Sequence, residues 1–137
     1  MELRPPNKPY HTDHSIMYSC QYHVIFCSKY RRKVLTDAVA ARMKELVLAK
    51  QGEYGYSVIE MEVVLDHVHL LLDVDPRVGI NIVVGKIKGF TSHELRDEFP
   101  WLKKRLPTLW TRSKFISTVG AVTLEVVQQY IEQQNNV

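Results

Sequence analysis

The spacing of hydrophobic positions changes repeatedly along this chain, and each change marks an element. Tyr18 to Phe26 is rich in aromatic and β-branched residues and reads as a strand. A polar connection, Lys29 to Lys33, follows. Thr36 or Asp37 can cap a helix running to about Gln51, in which Val39, Met43, Leu46 and Val47 recur at helical spacing. Gly52 and Gly55 are expected to end it. Tyr56 to Val63 and His67 to Val74 read as strands joined by a tight turn at Leu65-Asp66, hence a hairpin that Pro76 closes. Val78 to Phe99 is helical, with Ile80, Val83, Val84, Ile87 and Leu95 on the buried side. Gly85 and Gly89 weaken that helix and predict a kink or a close backbone contact. Pro100 interrupts it, and Trp101 to Leu106 is a short helical or irregular piece. Phe115 to Val119 is a further strand, broken by Gly120. Thr123 then caps a last helix to about Gln134, with Leu124, Val127 and Ile131 as its buried stripe.

The order is β-α-β-β-α-β-α. Its first six elements match the split βαβ, ferredoxin-like pattern of an α+β fold: an antiparallel sheet with helices packed on it. The seventh is a C-terminal helix that carries Tyr130. A chain of 137 residues fits one core. Residues 1–16, with Pro5, Pro6 and Pro9, are expected to form a flexible or loosely docked arm, and residues 17–137 a single domain. There is no internal repeat. No apolar run approaches the roughly 20 residues of a membrane span, and the N-terminus has no signal-peptide character, so a cytoplasmic location and no membrane partner are expected.

Net charge is only +3, compatible with nucleic acid without requiring it. The clustering says more. Lys29, Arg31, Arg32 and Lys33 surround Tyr30, and Lys103, Lys104 and Arg105 lie between Trp101 and Trp110. Lys86, Lys88, Arg112 and Lys114 are scattered between other segments. Aromatics among basic residues suit single-stranded nucleic acid, whose bases are free to stack; solvated surface charge is the plainer reading of the clusters alone. Cys20 and Cys27 are seven apart in one expected strand, on opposite faces, and should not pair.

Candidate chemistry concentrates in Asp66-His67-Val68-His69. Residues two apart on a strand share a face, so both imidazoles can meet one metal ion or one phosphate. Two same-face histidines entering an apolar strand favour function over ordinary hydrogen bonding. Two ligands do not complete a metal site. The histidine-triad hydrolases would need a third histidine where this chain has Leu71. In the last helix, Tyr130 and Gln134 are four apart and stack on one side. Tyr130 offers a phenolic nucleophile and Gln134 a carbonyl ligand. Taken alone, that helix reads more simply as Tyr130 packed on the sheet with a solvated Gln134.

Several stretches in order resemble the small single-tyrosine HUH transposases of the simplest insertion sequences, which mobilise single-stranded DNA with hairpin ends. They are Tyr22-His23-Val24-Ile25-Phe26-Cys27-Ser28-Lys29-Tyr30-Arg31-Arg32-Lys33-Val34-Leu35, Asp66-His67-Val68-His69-Leu70-Leu71, Glu98-Phe99-Pro100-Trp101-Leu102-Lys103-Lys104, Leu109-Trp110-Thr111-Arg112-Ser113, Ser117-Thr118-Val119-Gly120, and Val127-Gln128-Gln129-Tyr130-Ile131-Glu132-Gln133-Gln134. The resemblance runs from about Met17 to Gln134. It implies that His67, His69 and Gln134 hold a divalent metal, Mg²⁺ or Mn²⁺, and that Tyr130 is the nucleophile of a cut-and-rejoin reaction through a 5′-phosphotyrosine. It further implies a homodimer in which the tyrosine helix of one subunit completes the histidine site of the other. Leu65, where Pro or Glu is frequent, and Lys114-Phe115, where an aromatic pair is frequent, depart from the pattern without touching that chemistry.

Asp66 is expected either to orient a ligating histidine or to serve only the turn. Lys29, Arg31, Arg32 and Lys33 are the leading candidates for DNA phosphates, followed by Lys88, Arg112 and Lys114. Three other readings compete: a domesticated relative that processes chromosomal repeat hairpins, a hairpin-binding protein without catalysis, and a metal-dependent nucleotide hydrolase indifferent to Tyr130.

Overall fold

The structure is a computed structural model, and it describes residues 10–13, 15–120, 123–135 and 137. A short antiparallel hairpin comes first, β1 (His11–Asp13) and β2 (Ile16–Tyr18). The main sheet follows as β3 (Gln21–Cys27), β4 (Tyr56–Val64), β5 (His67–Val74) and β6 (Phe115–Thr118). Its order is β4-β5-β3-β6, antiparallel throughout. Each βαβ unit is therefore split by a strand inserted between its two ends, as the element order predicts. The helices are α1 (Asp37–Ala49), α2 (Gln51–Tyr54), α3 (Ile80–Glu98), α4 (Trp101–Arg105) and α5 (Leu124–Glu132). None is long and apolar enough to cross a membrane, among the described residues.

The two sheet faces differ in kind. Val24 and Phe26 of β3 and Val68, Leu70 and Leu72 of β5 meet Val39, Met43, Val47, Val83, Val84, Ile87 and Leu95 from α1 and α3 in the main core. Strand alternation sends Ile25 and Cys27 to the other face, where they form a smaller buried cluster with Val127 and Ile131 of α5. His67 and His69 lie on this second, thinly covered face. A β-bulge between Val58 and Glu60 changes the parity of β4. Met61 and Val63 thereby stay with the core side, while Glu60, Glu62 and Val64 pair with Leu71, His69 and His67.

Several expectations are adjusted. The expected strand Tyr18 to Phe26 is interrupted at Cys20, whose N–H goes to Asp73 Oδ1 at 3.1 Å instead of a strand partner. The expected boundary between residues 16 and 17 falls inside the β1–β2 hairpin, whose His11 Nε2 lies 3.1 Å from Asp73 Oδ2; residues 1–9 lie outside the described residues. Gly52 sits within α2, and the stop is Gly55, at φ +81°, where an added Cβ would come within 2.9 Å of Val78. α3 is one continuous helix, and among the described residues nothing approaches the Cβ positions of Gly85 and Gly89 within 4 Å, so the expected kink or close contact is not seen there. Gly120, at φ +91°, makes the turn after β6. Trp110 is buried, donating Nε1–H to Thr91 Oγ1 at 3.1 Å and meeting Phe26 edge-on at 4.8 Å, so it is a core residue and no stacking platform. Cys20 and Cys27 are both free thiols.

Candidate active site

The turn that delivers the histidines is held from three sides. Ser28 N–H donates to Asp66 O at 3.0 Å, Leu35 N–H donates to Leu65 O at 2.9 Å, and Arg31 Nε donates to Asp66 Oδ2 at 2.8 Å. The other carboxylate oxygen, Asp66 Oδ1, is 2.8 Å from His67 Nδ1. Burial pushes the Asp66 carboxyl up, but bonds from His67 and Arg31 outweigh it and hold the group below its ordinary range. An ionised Asp66 accepts the Nδ1 proton, so His67 keeps its lone pair on Nε2. Of the two roles expected for Asp66, this geometry favours orienting His67.

His69 is buried, 6% exposed. Burial first, then the charges of His23 and His67, push it down to about 4, so it is neutral at physiological pH. A neutral ring is what a metal ligand must be. The same shift predicts acid lability. The folded value lies below the ordinary value of about 6.5, so this stabilisation is complete above pH 6.5 and lost as pH falls toward 4. In chelator-containing buffer, urea melts should show the wild type losing about 2 kcal/mol from this group between pH 7 and pH 5. His69→Gln should flatten that segment of the curve; an unchanged slope would locate the lability elsewhere.

The last helix contributes two different sides. The Thr123 hydroxyl caps it, accepting from Val126 N–H at 3.3 Å. Leu124, expected in the buried stripe, is 41% exposed; only Val127 and Ile131 are buried. Leu124 and Gln128 instead line a groove with Glu62, Val64 and His67. Tyr130 and Gln134 face the β6 side. Tyr130 Oη is 2.8 Å from Ser113 Oγ, and Ser113 Oγ donates to Gln134 Oε1 at 2.7 Å. The serine proton is thus committed to Gln134, and Tyr130 O–H donates to Ser113. The tyrosine ring also lies against Phe115, 5.6 Å between centroids. Burial pushes the Tyr130 phenol up to about 12, so it is protonated at neutral pH. Gln134 is buried, 6% exposed, where the helix alone read as leaving it solvated.

Tyr130 and Gln134 therefore meet each other, but within this chain no hydrogen bond among the described residues joins them to His67 or His69. β3 lies between β5 and β6, which sets the histidine strand and the Phe115 strand about 10 Å apart. The metal test follows from the donors. His67 Nε2 and a neutral His69 fit a divalent cation. Among the described residues no three His, Cys, Asp or Glu side chains cluster as a cage, so a third donor must be of another type or another chain.

The basic residues divide. Lys29 and Arg32 flank the half-exposed Tyr30 ring, at 4.9 and 6.0 Å, and Lys33 borders the Leu65-Asp66 turn. Tyr30 and Arg31 have φ of 57° and 55°, rarely adopted by side-chain-bearing residues, so this turn holds backbone strain beside the site. Arg31 is engaged internally, donating to Asn135 Oδ1 at 3.0 Å as well as to Asp66. It thereby ties the end of the tyrosine helix to the histidine turn. Lys88 gives its protons to the carbonyls of Thr111, Arg112 and Ser113, at 2.7, 3.4 and 3.1 Å. Burial and the nearby Lys114 push Lys88 down to about 8, and it fastens the loop that presents Ser113. Arg112 is exposed and Lys114 half-buried on the same loop. Sequence reasoning missed Ser113 and His23; neither stands out by type or spacing until the strand order is known.

Residues 16–134 match the family model described as "Transposase IS200 like". The chain is 38% identical over 122 residues to the ISDra2 transposase TnpA of Deinococcus radiodurans, covering 88% of this chain and 87% of that protein. It is 32% identical over 120 residues to the transposase for insertion sequence element IS200 of Salmonella typhimurium, covering 85% and 78%. A crystal structure of a Deinococcus radiodurans protein assigned as a transposase superposes with a TM-score of 0.84 at 34% identity, over 93% of this chain and 99% of that one. A REP-associated tyrosine transposase bound to a REP hairpin shares the fold alone, with a TM-score of 0.57 at 9% identity over 95% of this chain and 69% of that one. A model that matches nearly the whole chain, with relatives this similar across it, makes this protein a member of the IS200-like transposase family.

Proposed function

We propose that this transposase cuts and rejoins single-stranded DNA at hairpin ends through a covalent 5′-phosphotyrosine on Tyr130. The observation that carries the reading is the Ser113 hydroxyl bonded to both Tyr130 and Gln134, which presents a phenol and an amide oxygen together on one side of α5. The complementary half is the pair His67 and His69, with Asp66 holding the first ring.

His67, His69 and Gln134 would hold the divalent cation, Mg²⁺ or Mn²⁺, which when bound supplies positive charge to a phosphate oxygen and lowers the barrier to displacement. The residues of the chain do the rest. Tyr130 attacks phosphorus in line and gives up its phenolic proton. The P–O3′ bond breaks, and the departing DNA 3′ oxygen leaves protonated as a 3′-OH. The new ester keeps the bond energy, so a later 3′-OH can attack it and reseal DNA without ATP. Lys29, Arg32 and Lys33, with exposed Tyr30 among them, offer phosphate contacts and a stacking surface beside the turn. Arg112 and Lys114 extend that surface near Ser113.

The functional unit is a homodimer. Gln134 and Tyr130 of one subunit serve His67 and His69 of the other, since within one chain the α5 pair is bonded to Ser113 beside β6, and β3 separates β6 from the histidine strand.

The direct test incubates the full chain with labelled single-stranded DNA carrying the end hairpin of an insertion sequence that encodes it. With Mg²⁺ or Mn²⁺, a protein–DNA adduct should survive denaturation; with chelator it should not form. Tight hairpin binding with no adduct under any metal would replace this reading with a non-catalytic hairpin-binding protein.

A further inference from the structure

A third histidine, outside the His67-Val68-His69 motif, shares the second sheet face. His23 is on β3, opposite Leu71 of β5 and Ser117 of β6, and is 1% exposed. Its Nδ1 lies 3.0 Å from His69 Nε2, and the two rings stack at 5.1 Å with 30° between their planes. Its own Nε2 is buried and has no hydrogen-bond partner among the described residues. Leaving such a buried nitrogen without a partner is destabilising. A phenylalanine would fill this place without that cost, so what distinguishes histidine here is the work of Nδ1.

We propose that His23 is a positioning residue that fixes the ring of His69 for metal ligation, an inference that rests on the metal-site reading above. A neutral imidazole has one N–H and one lone pair, and the bond made by one nitrogen decides what the other can do. The bond to His23 engages His69 through Nε2. If His23 donated, His69 would carry its proton on Nδ1 and have no nitrogen free. A ligating His69 therefore donates Nε2–H to His23 Nδ1 and keeps its lone pair on Nδ1. His23 then holds its own proton on the orphaned Nε2. His67 is arranged the opposite way, with Asp66 taking the Nδ1 proton and leaving Nε2. The two ligands are thus set by two unlike partners, a carboxylate and an imidazole. Outer partners of this kind are ordinarily worth about 10–100-fold in metal affinity.

The experiment reads Mn²⁺ binding to the DNA-free full chain, from the paramagnetic resonance signal of free Mn²⁺, with thermal melts to verify folding. His23→Phe, which keeps the ring and removes both nitrogens, should weaken binding about 10–100-fold. His23→Asn, which keeps an acceptor near the Nδ1 position, should recover most of that loss. Equal losses in the two variants would mark His23 as core filling and overturn the inference. His67→Ala separates the underlying reading: if it too leaves affinity unchanged, the metal site itself is wrong. If His67→Ala loses binding and His23→Phe does not, only the role of His23 fails. A measurement on wild type stands even if a variant does not fold. In protein labelled with ¹⁵N-histidine, Cd²⁺ should perturb His69 at Nδ1 while Nε2 stays protonated; perturbation at Nε2 would overturn the assignment.

Discussion

If Tyr130 is the proposed nucleophile, replacing it with phenylalanine should abolish the covalent protein–DNA adduct while leaving the fold and hairpin binding in place. The substitution removes one oxygen. The ring keeps its place against Phe115, and the stability cost is confined to the bond with Ser113, about 1 kcal/mol. Ser113 still donates to Gln134, so the amide oxygen keeps its orientation. The chemistry loses its nucleophile outright. Adduct formation and strand cleavage should fall at least a thousandfold, roughly the scale seen when a covalent catalyst loses its attacking atom. Gel analysis of denatured reactions reads the adduct, circular dichroism the fold, and a mobility shift the binding. Cleavage that persists near the wild-type rate in Tyr130→Phe would mean that water attacks, and the protein would be a metal-dependent hydrolase.

Mixing two inactive variants should restore cleavage. His67→Ala chains retain Tyr130, and Tyr130→Phe chains retain both histidines. If the tyrosine of one subunit serves the histidines of its partner, a mixed dimer has one site with both parts intact and one with neither. Free exchange of subunits makes half the dimers mixed, so about a quarter of wild-type activity should return. If each tyrosine served its own chain, both sites of a mixed dimer would lack one part, and no activity would return. The structure supplies the reason to expect recovery. Tyr130 and Gln134 are bound to Ser113 beside β6, the histidines are on β5, and β3 fills the space between. Leu124 and Gln128, not Tyr130, border the groove at His67. Zero recovery after verified subunit exchange would overturn the shared site.

Parts of the site are local, and those parts were legible. His67 and His69 share a face because a strand has period two, and Tyr130 and Gln134 share a side because a helix has period 3.6. The Leu65-Asp66 turn was legible as the short connection between two strand-like runs. The same local logic failed at Leu124, which continues the helical stripe but overhangs the sheet face and is exposed. It failed at Trp110, whose basic neighbours implied a surface role. An isolated bridge between Ser28 and Trp110 instead carries that side chain inward to Phe26 and Thr91. Arg31 and Lys88 looked like surface cations by type; both spend their donors inside the molecule.

The sequence by itself determined the order of the elements around the main sheet, the paired histidines and the tyrosine on a terminal helix. Each follows from the spacing of residues close together in the chain. Only the tertiary structure decided which groups those residues meet. Ser113 reaches Tyr130 and Gln134 across 17 and 21 residues, Arg31 reaches Asp66 across 35, and His23 reaches His69 across 46. Such contacts depend on strand order and register, and a one-residue slip in β3 would turn His23 into the core and leave His69 without its partner. The bulge at Ile59 is another such decision, because it alone sets which residues of β4 face the histidines. The register with which β3 pairs β5 leaves no mark on local hydrophobic periodicity, since it is settled by the summed packing of the two faces of the sheet.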